Sequence, residues 1–238
     1  MLIDAKELNY RTLNNKIREC DSCTVIGCLG QRFIAAGMKN KKITLHGISG
    51  NALGAYLTGA EITVLGNAQD AVGDTMNDGL ITVNGNVGDA PGYAMRGGKI
   101  FVKGNAGYRV GIHMKEYKEK KPVIVIGGRC GSFLGEYQAG GILAVLGLEK
   151  SDKPLVGNFP CTGMHGGKLY LRGNIGDIDF PSNVSVKSAD EEDMNEIMPF
   201  LKEFCVSFDY KTEELLSEPF TVITPDTKNP YKQMYVAN

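Results

Sequence analysis

Isoleucine, valine and leucine alternate with polar residues along much of this chain, and the alternation itself recurs. Ile43-Thr-Leu-His-Gly47, Ile62-Thr-Val-Leu-Gly66, Ile81-Thr-Val-Asn-Gly85 and Ile100-Phe-Val-Lys-Gly104 stand 19 residues apart without a break. Apolar side chains at every second position mark a strand with one buried face. Turn residues follow within five residues, too soon for a helix. A fixed period near 20 residues means that one short unit is stacked on itself and buries its apolar side chains only against its neighbours. Every unit travels the same circuit before returning, so successive strands must pair in parallel, about 4.8 Å apart. The pattern predicts an all-β fold, a parallel β-helix of about 19-residue turns.

Later repeats are looser. Val123-Ile-Val-Ile-Gly127 comes 23 residues after the fourth unit, Leu143-Ala-Val-Leu-Gly147 20 later, and Leu169-Tyr-Leu-Arg-Gly173 26 after that. The extra residues bulge outward as loops, Lys115 to Lys121 before the fifth rung and Glu149 to Pro154 before the seventh. A coil of this kind exposes strand edges at both ends and needs caps. Residues 9–20, with Leu13 and Ile17 four apart, predict a short N-terminal helix. After Val186, Asp190-Glu-Glu-Asp193 precedes Met194, Ile197, Met198, Leu201, Phe204 and Cys205, which suits a helix N-terminus followed by an apolar stripe. Pro199 should break or restart that helix. The organisation expected is a cap at 1–23, a β-helix domain at 24–187, and an acidic helical cap with an extended, docked tail at 188–238.

Of 238 residues 31 are glycine, nearly twice the usual ~7%, without low complexity. Gly66-Asn67, Gly85-Asn86, Gly104-Asn105 and Gly173-Asn174 put the two residue types that best tolerate positive φ at the same corner of each repeat. The formal net charge of −1 hides an asymmetry: residues 188–238 carry 11 acidic and 4 basic residues, the remainder 16 and 22. The basic residues are spread through the repeats without interleaved aromatics, which favours self-complementary or partner-facing surfaces over nucleic-acid binding. No apolar run approaches the ~20 residues that span a bilayer. The start, Met1-Leu-Ile-Asp-Ala-Lys-Glu, lacks a secretory layout, so no membrane association and a cytoplasmic location are expected. Cysteines at 20, 23, 28, 130, 161 and 205 show no secreted framework, and reduced thiols are expected.

The chemical motifs weaken against the lattice. Gly104 to Gly111 and Gly127 to Gly135 resemble phosphate loops, but such a loop joins a strand to a helix, and these glycines lead into further short strands and recur in every repeat. Cys20-Asp-Ser-Cys23 with Cys28 lacks a nearby fourth iron–sulfur ligand. Cys130 and Cys161, among apolar residues and glycines, fit packing roles. His46, His113 and His165 fall at unrelated phases. His113 is the most suggestive, because it opens the segment that breaks the period, and breaks in a solenoid are where function or a partner sits. Arg109, Arg129, Glu136 and Tyr137 are polar groups on rigid rungs, and with His113, Lys115, Glu116 and Tyr117 they form the expected partner interface. No catalytic, metal or cofactor-binding residue is expected.

The chain resembles the Gly-rich C-terminal domain of the glutamate synthase large subunit, as a free-standing protein. The resemblance rests on Gly30-Gln-Arg-Phe33, Gly50-Asn-Ala-Leu-Gly-Ala55, Gly66 to Gly73, Met95-Arg-Gly-Gly-Lys-Ile-Phe-Val102, Gly104-Asn-Ala-Gly107 and, most specifically, Ile126-Gly-Gly-Arg-Cys-Gly-Ser-Phe-Leu-Gly-Glu-Tyr-Gln-Ala-Gly-Gly141. It covers roughly residues 24–178 and implies a right-handed β-helix. A more distant relative with the same repeats is the C subunit of formylmethanofuran dehydrogenase.

In the parent enzyme this domain holds no catalytic residue or cofactor and acts as a spacer. One neighbouring domain releases ammonia from glutamine; another, with FMN and a 3Fe-4S cluster, joins it to 2-oxoglutarate. Both are missing here. The resemblance thus implies a non-catalytic scaffold subunit of a split glutamate synthase or related glutamine-dependent amidotransferase complex. Its partners would be glutaminase and FMN-dependent synthase subunits, with FMN and the 3Fe-4S cluster held by a partner. Self-association is an open possibility. Two alternatives stand: a component of a formylmethanofuran dehydrogenase-type complex, and a left-handed hexapeptide acyltransferase with a His base. A spacing of 19 instead of 18 disfavours the second.

Overall fold

The structure, a computed structural model, describes residues 1–149, 151–176 and 178–226. Strand β1 (Leu2–Asp4) and helix α1 (Tyr10–Arg18) come first. Eight rungs follow: β2 (Ser22–Leu29), β3 (Lys42–Ile48), β4 (Thr58–Leu65), β5 (Asp78–Val83), β6 (Lys99–Val102), β7 (Val123–Ile126), β8 (Ala139–Val145) and β9 (Gly166–Arg172). Strand β10 (Val184–Ser188), helices α2 (Glu191–Phe208) and α3 (Thr212–Leu215), and strand β11 (Phe220–Pro225) complete the described chain. All eleven strands form one sheet, ordered β1 to β9, then β11, then β10. β1 to β9 pair in parallel. The predicted β-solenoid is therefore present, and eight rungs at ~4.8 Å span about 38 Å.

Ile43, Ile62, Ile81 and Ile100 stack in register inside the coil, with Leu45, Val64, Val83 and Val102 as a second column. Beyond them the sequence alignment is off by one. Ile100 pairs with Ile124, not Val123, and Ile124 with Leu143. The spacings are thus 24, 19 and 26 where the apolar pattern suggested 23, 20 and 26. A slip of one residue turns every side chain to the other face. Val123-Ile-Val-Ile126 is buried at all four positions, so alternation carries no register information there.

Burial on both faces has a cause. The outward column reads Thr44, Thr63, Thr82 and then Phe101, Val125, Ala144, Tyr170. Where it turns apolar, α2 lies across the sheet, burying Ile197, Leu201, Phe204, Cys205 and Phe208 against it. Phe204 meets Phe101 edge-on at a centroid distance of 6.0 Å. Helix α2 starts on a capping box, with the Asp190 side chain accepting from the Asp193 N–H at 3.0 Å. Pro199 does not interrupt it. Pro199 is on the exposed side, where water can satisfy the carbonyl that its missing N–H leaves free.

Ion pairs seat the acidic helix on the basic body: Lys99–Glu203 at 2.5 Å, Lys121–Glu196 at 2.6 Å and Lys168–Asp193 at 2.7 Å. The charge asymmetry of the sequence is thus partly consumed within the chain. The expected extended tail is corrected as far as residue 225. Residues 206–208 end α2, α3 follows, and β11 inserts antiparallel between β9 and β10. Residues 227–238 of that expected tail lie outside the described residues. At the other end, α1 forms as predicted, with Asn9 as its cap and Leu13 and Ile17 buried. No helix among the described residues is long and apolar enough to cross a membrane.

The Gly-Asn corners repeat for a different reason from the one expected. At Gly66, Gly85 and Gly104 φ is not positive; among the four only Gly173 has a positive φ, of 82°. A Cβ on Gly66 would instead run into the carbonyl oxygen of Gly47 on the preceding turn. The asparagines form a ladder: the Asn86 N–H donates to Asn67 Oδ1 at 2.8 Å, the Asn105 N–H to Asn86 Oδ1 at 2.7 Å, and the Arg129 N–H to Asn105 Oδ1 at 2.8 Å.

Candidate functional site

The second corner of each turn is where left-handed backbone concentrates. Three residues at i, i+2 and i+4 take positive φ: Ala90, Gly92 and Ala94 (54°, 72°, 50°), then Arg109, Gly111 and His113 (59°, 69°, 55°), then Phe133, Gly135 and Tyr137 (62°, 68°, 52°). The outer two donate their N–H groups to the next turn, as Arg109 to Ser132 O (2.9 Å) and His113 to Glu136 O (3.0 Å). The middle one donates to the preceding turn, as Gly111 to Pro91 O at 2.9 Å. Each left-handed residue thus keeps its N–H in an axial hydrogen bond while the chain turns a corner. The middle position points inward: a Cβ on Gly92 would strike the Ile124 Cδ1 methyl. The outer two point to solvent and carry almost any side chain, at a strain cost of ~1–2 kcal/mol each.

Alanine and aromatic residues are their commonest occupants. Phe33, Tyr56, Tyr137 and Phe159 occupy outer left-handed positions, with Tyr93 and Tyr108 beside them. Among the described residues, the exposed aromatics are these six and Tyr117 on the adjoining loop. Arg109 lies at the centre, its Nε 2.9 Å from Glu136 Oε2 and its guanidinium 4.9 Å from the centroid of the Phe133 ring. His113 stacks face to face on Tyr137 (5.2 Å, 9°) and takes the edge of Tyr93 (6.0 Å, 81°).

Four of the eight expected interface residues, Arg109, His113, Glu136 and Tyr137, therefore converge. Lys115, Glu116 and Tyr117 start the loop that follows at once. It is a small hairpin in which Tyr117 and Lys120 exchange backbone hydrogen bonds at 3.1 Å, pinned where Glu116 Oε1 accepts the Gly141 N–H at 3.0 Å. Arg129 belongs to the Gly-Asn corner, four residues before Phe133, and is not part of the cluster. Sequence reasoning missed Tyr93 and Phe133. Phe133 shares the phase of Arg109, and Tyr56 that of His113, but aligning the first pair needs the 24-residue spacing that the apolar pattern conceals.

Burial pushes the thiols of Cys23 and Cys28 up to about 11 and that of Cys161 to about 12, away from the thiolate form that nucleophiles and metal ligands need. Among the described residues no group of three or more His, Cys, Asp or Glu side chains is placed to hold a metal ion. The glycines of the phosphate-loop lookalikes lead into one-residue parallel bridges, Ala106 to Cys130 and Cys130 to Val156, not into helices. Exposed rings, a paired guanidinium and a pinned hairpin on a stiff lattice make a surface suited to contact.

Comparison with known proteins places this geometry. The family model described as GXGXG motif matches residues 4–226. An uncharacterized protein of Methanocaldococcus jannaschii is 44% identical over 250 aligned positions, covering 99% of this chain and 96% of its own length. Among solved structures, a chain of the formyltransferase/hydrolase complex of Methylorubrum extorquens, determined with methylofuran bound, is similar in fold. Its TM-score is 0.65 at 23% identity, over 84% of this chain and 71% of that one.

Proposed function

This chain belongs to the GXGXG motif family, and we propose on that footing that it is a non-catalytic subunit of a multisubunit enzyme, holding its partners at fixed separation. The observation that carries the reading is the combination just described: a rigid stack of about eight turns without a catalytic cluster among its described residues, yet with exposed aromatics concentrated along one corner. Solitary exposed rings are ordinary; a group in contact, such as Tyr93, His113 and Tyr137, marks a contact site. The solved relative is itself part of a complex, which agrees with this assignment.

The partners we propose are a glutaminase and an FMN-dependent, 3Fe-4S-containing synthase component, so that the assembly is a split glutamate synthase or related amidotransferase. The run Ile126 to Gly141 supports this choice. Arg109, His113, Glu136 and Tyr137, with Lys115, Glu116 and Tyr117, would form the docking surface, and Arg129 a separate contact at the other corner. A second reading, a subunit of a formyl-transferring complex, is favoured by the fold relative. The cytoplasm is the proposed location. Purifying the chain with its companions from native cells tests both readings: glutaminase and flavin-containing companions support the first, formyltransferase or hydrolase companions the second. A chain without companions contradicts both.

A further inference from the structure

Five of the six cysteines are buried and Cys20 alone is half-buried, where helix α1 has ended and the first rung is about to begin. Cys23 follows it, one residue into β2. The Cys23 thiol is hydrogen-bonded to that of Cys20, and the Cys20 thiol donates in turn to Ile17 O at 3.6 Å. The carbonyl end of a helix opposes a thiolate, but here Lys41 covers it. Its ammonium donates to Cys20 O at 2.6 Å and to Arg18 O at 3.1 Å, and meets Asp21 Oδ1 at 3.4 Å, with the side chain only 16% exposed. A reachable thiol, a buried thiol in contact with it and a cation fixed beside them are thus brought together. Neither the stacking of the rungs nor the docking surface uses this arrangement.

We propose that Cys20 and Cys23 form a dithiol site that exchanges with low-molecular-weight disulfides and closes reversibly to an internal disulfide. This goes beyond the subunit reading and does not depend on it. In the first step the Cys20 sulfur, having given its proton to water, bonds to one sulfur of the external disulfide; that S–S bond breaks and its other half leaves as a thiolate that water protonates. In the second, Cys23 gives its proton to water and its sulfur bonds to that of Cys20, expelling the remaining half as a second thiol. One disulfide is consumed, one is formed, and two external thiols are released. Access sets the order. Burial, with Cys20 beside it, holds the Cys23 thiol up at about 11, so Cys20 attacks and Cys23 resolves. Two sulfurs already in hydrogen-bond contact need to approach by only about 2 Å to reach the S–S bond length. Cys28, on the same strand, is raised by burial alone and takes no part. A metal ion fits less well, since among the described residues no third ligand joins the pair.

The test exposes the full, reduced chain to oxidised glutathione, alkylates the remaining thiols in denaturant, and weighs the intact chain and its tryptic peptides. The wild type should lose two of its six alkylatable thiols and carry no glutathione. Its peptide 19–32 should hold Cys20 joined to Cys23 with Cys28 alkylated, and dithiothreitol should restore all six thiols. Cys23→Ala should stop at a glutathione adduct on Cys20. Cys20→Ala should keep its other thiols free, and Cys28→Ala should close the disulfide at a rate within about twofold of the wild type. Circular dichroism spectra check that the variants are folded, and the wild-type peptide decides the pairing even where one is not. Six free thiols in the exposed wild type, a glutathione adduct on Cys20 that persists there, or a disulfide through any other cysteine overturns the proposal. Zinc or copper held by the purified chain and released on alkylation of the pair overturns it in favour of a metal site. None of these outcomes bears on the subunit reading, which stands or falls on co-purification.

Discussion

At the scale of single residues, the lattice overrides local preference. Thr75 at φ 51° and Tyr137 at φ 52° adopt a conformation that disfavours β-branched and bulky side chains. They hold it because the hydrogen bonds of both neighbouring turns converge there. Relieving that strain without removing a contact should stabilise. Ala94→Gly, at φ 50°, is expected to raise unfolding free energy by about 1 kcal/mol in denaturant titration, and a loss would contradict the strain account. Gly66→Ala should do the opposite, costing about 1–3 kcal/mol, because its Cβ meets the Gly47 carbonyl. A neutral outcome there would refute the close-approach explanation. These positions were only half legible in sequence. The inward glycines announced themselves, whereas the outer positions hold Ala, Phe, Tyr, Arg, His and Thr, whose identities say nothing of left-handed backbone.

Among elements, α2 is the one the rungs do not generate. Its existence could be read from the acidic start and apolar spacing, and its position could have been too. The outward column changes from threonine to Phe101, Val125, Ala144 and Tyr170 where the helix lies over it. What hid this was the reading of strands as one-faced, which the first repeats justify and the later ones do not. Phe204→Ala should cost about 3–5 kcal/mol, measured by equilibrium unfolding; a change below 1 kcal/mol would show that α2 is loosely attached.

Titration of the helix start gives a second handle. Burial would raise the Asp193 carboxyl, but hydrogen bonds from Lys168, Lys187 and the Asp190 backbone outweigh it and hold it down at about 2. Burial likewise opposes, without reversing, the lowering of Glu196 by Lys121 and Lys168. Groups depressed by folding contribute stability that is complete above the unfolded-state carboxylate value of ~4 and is lost as pH falls through the folded value. Melting temperature should therefore decline between about pH 4.5 and 2, and the decline should be shallower in Asp193→Asn. Parallel declines would remove Asp193 from the explanation.

For the whole molecule, the 19-residue period carries most of the architecture and little of the function. It foretold the parallel stack, the caps and the loops, because each follows from a chain returning over itself. It could not foretell which corner faces a partner, since that depends on side chains of different turns, Tyr93, His113 and Tyr137 among them, meeting across the stack. The central claim is that this solenoid works as part of an assembly and not alone. The most direct measurement is native mass spectrometry of the tagged chain isolated from its own cells. The account predicts a stoichiometric assembly that contains a glutaminase-type chain and a flavin-bearing chain. A lone 25.7 kDa species, with no companion at any salt concentration, would contradict it.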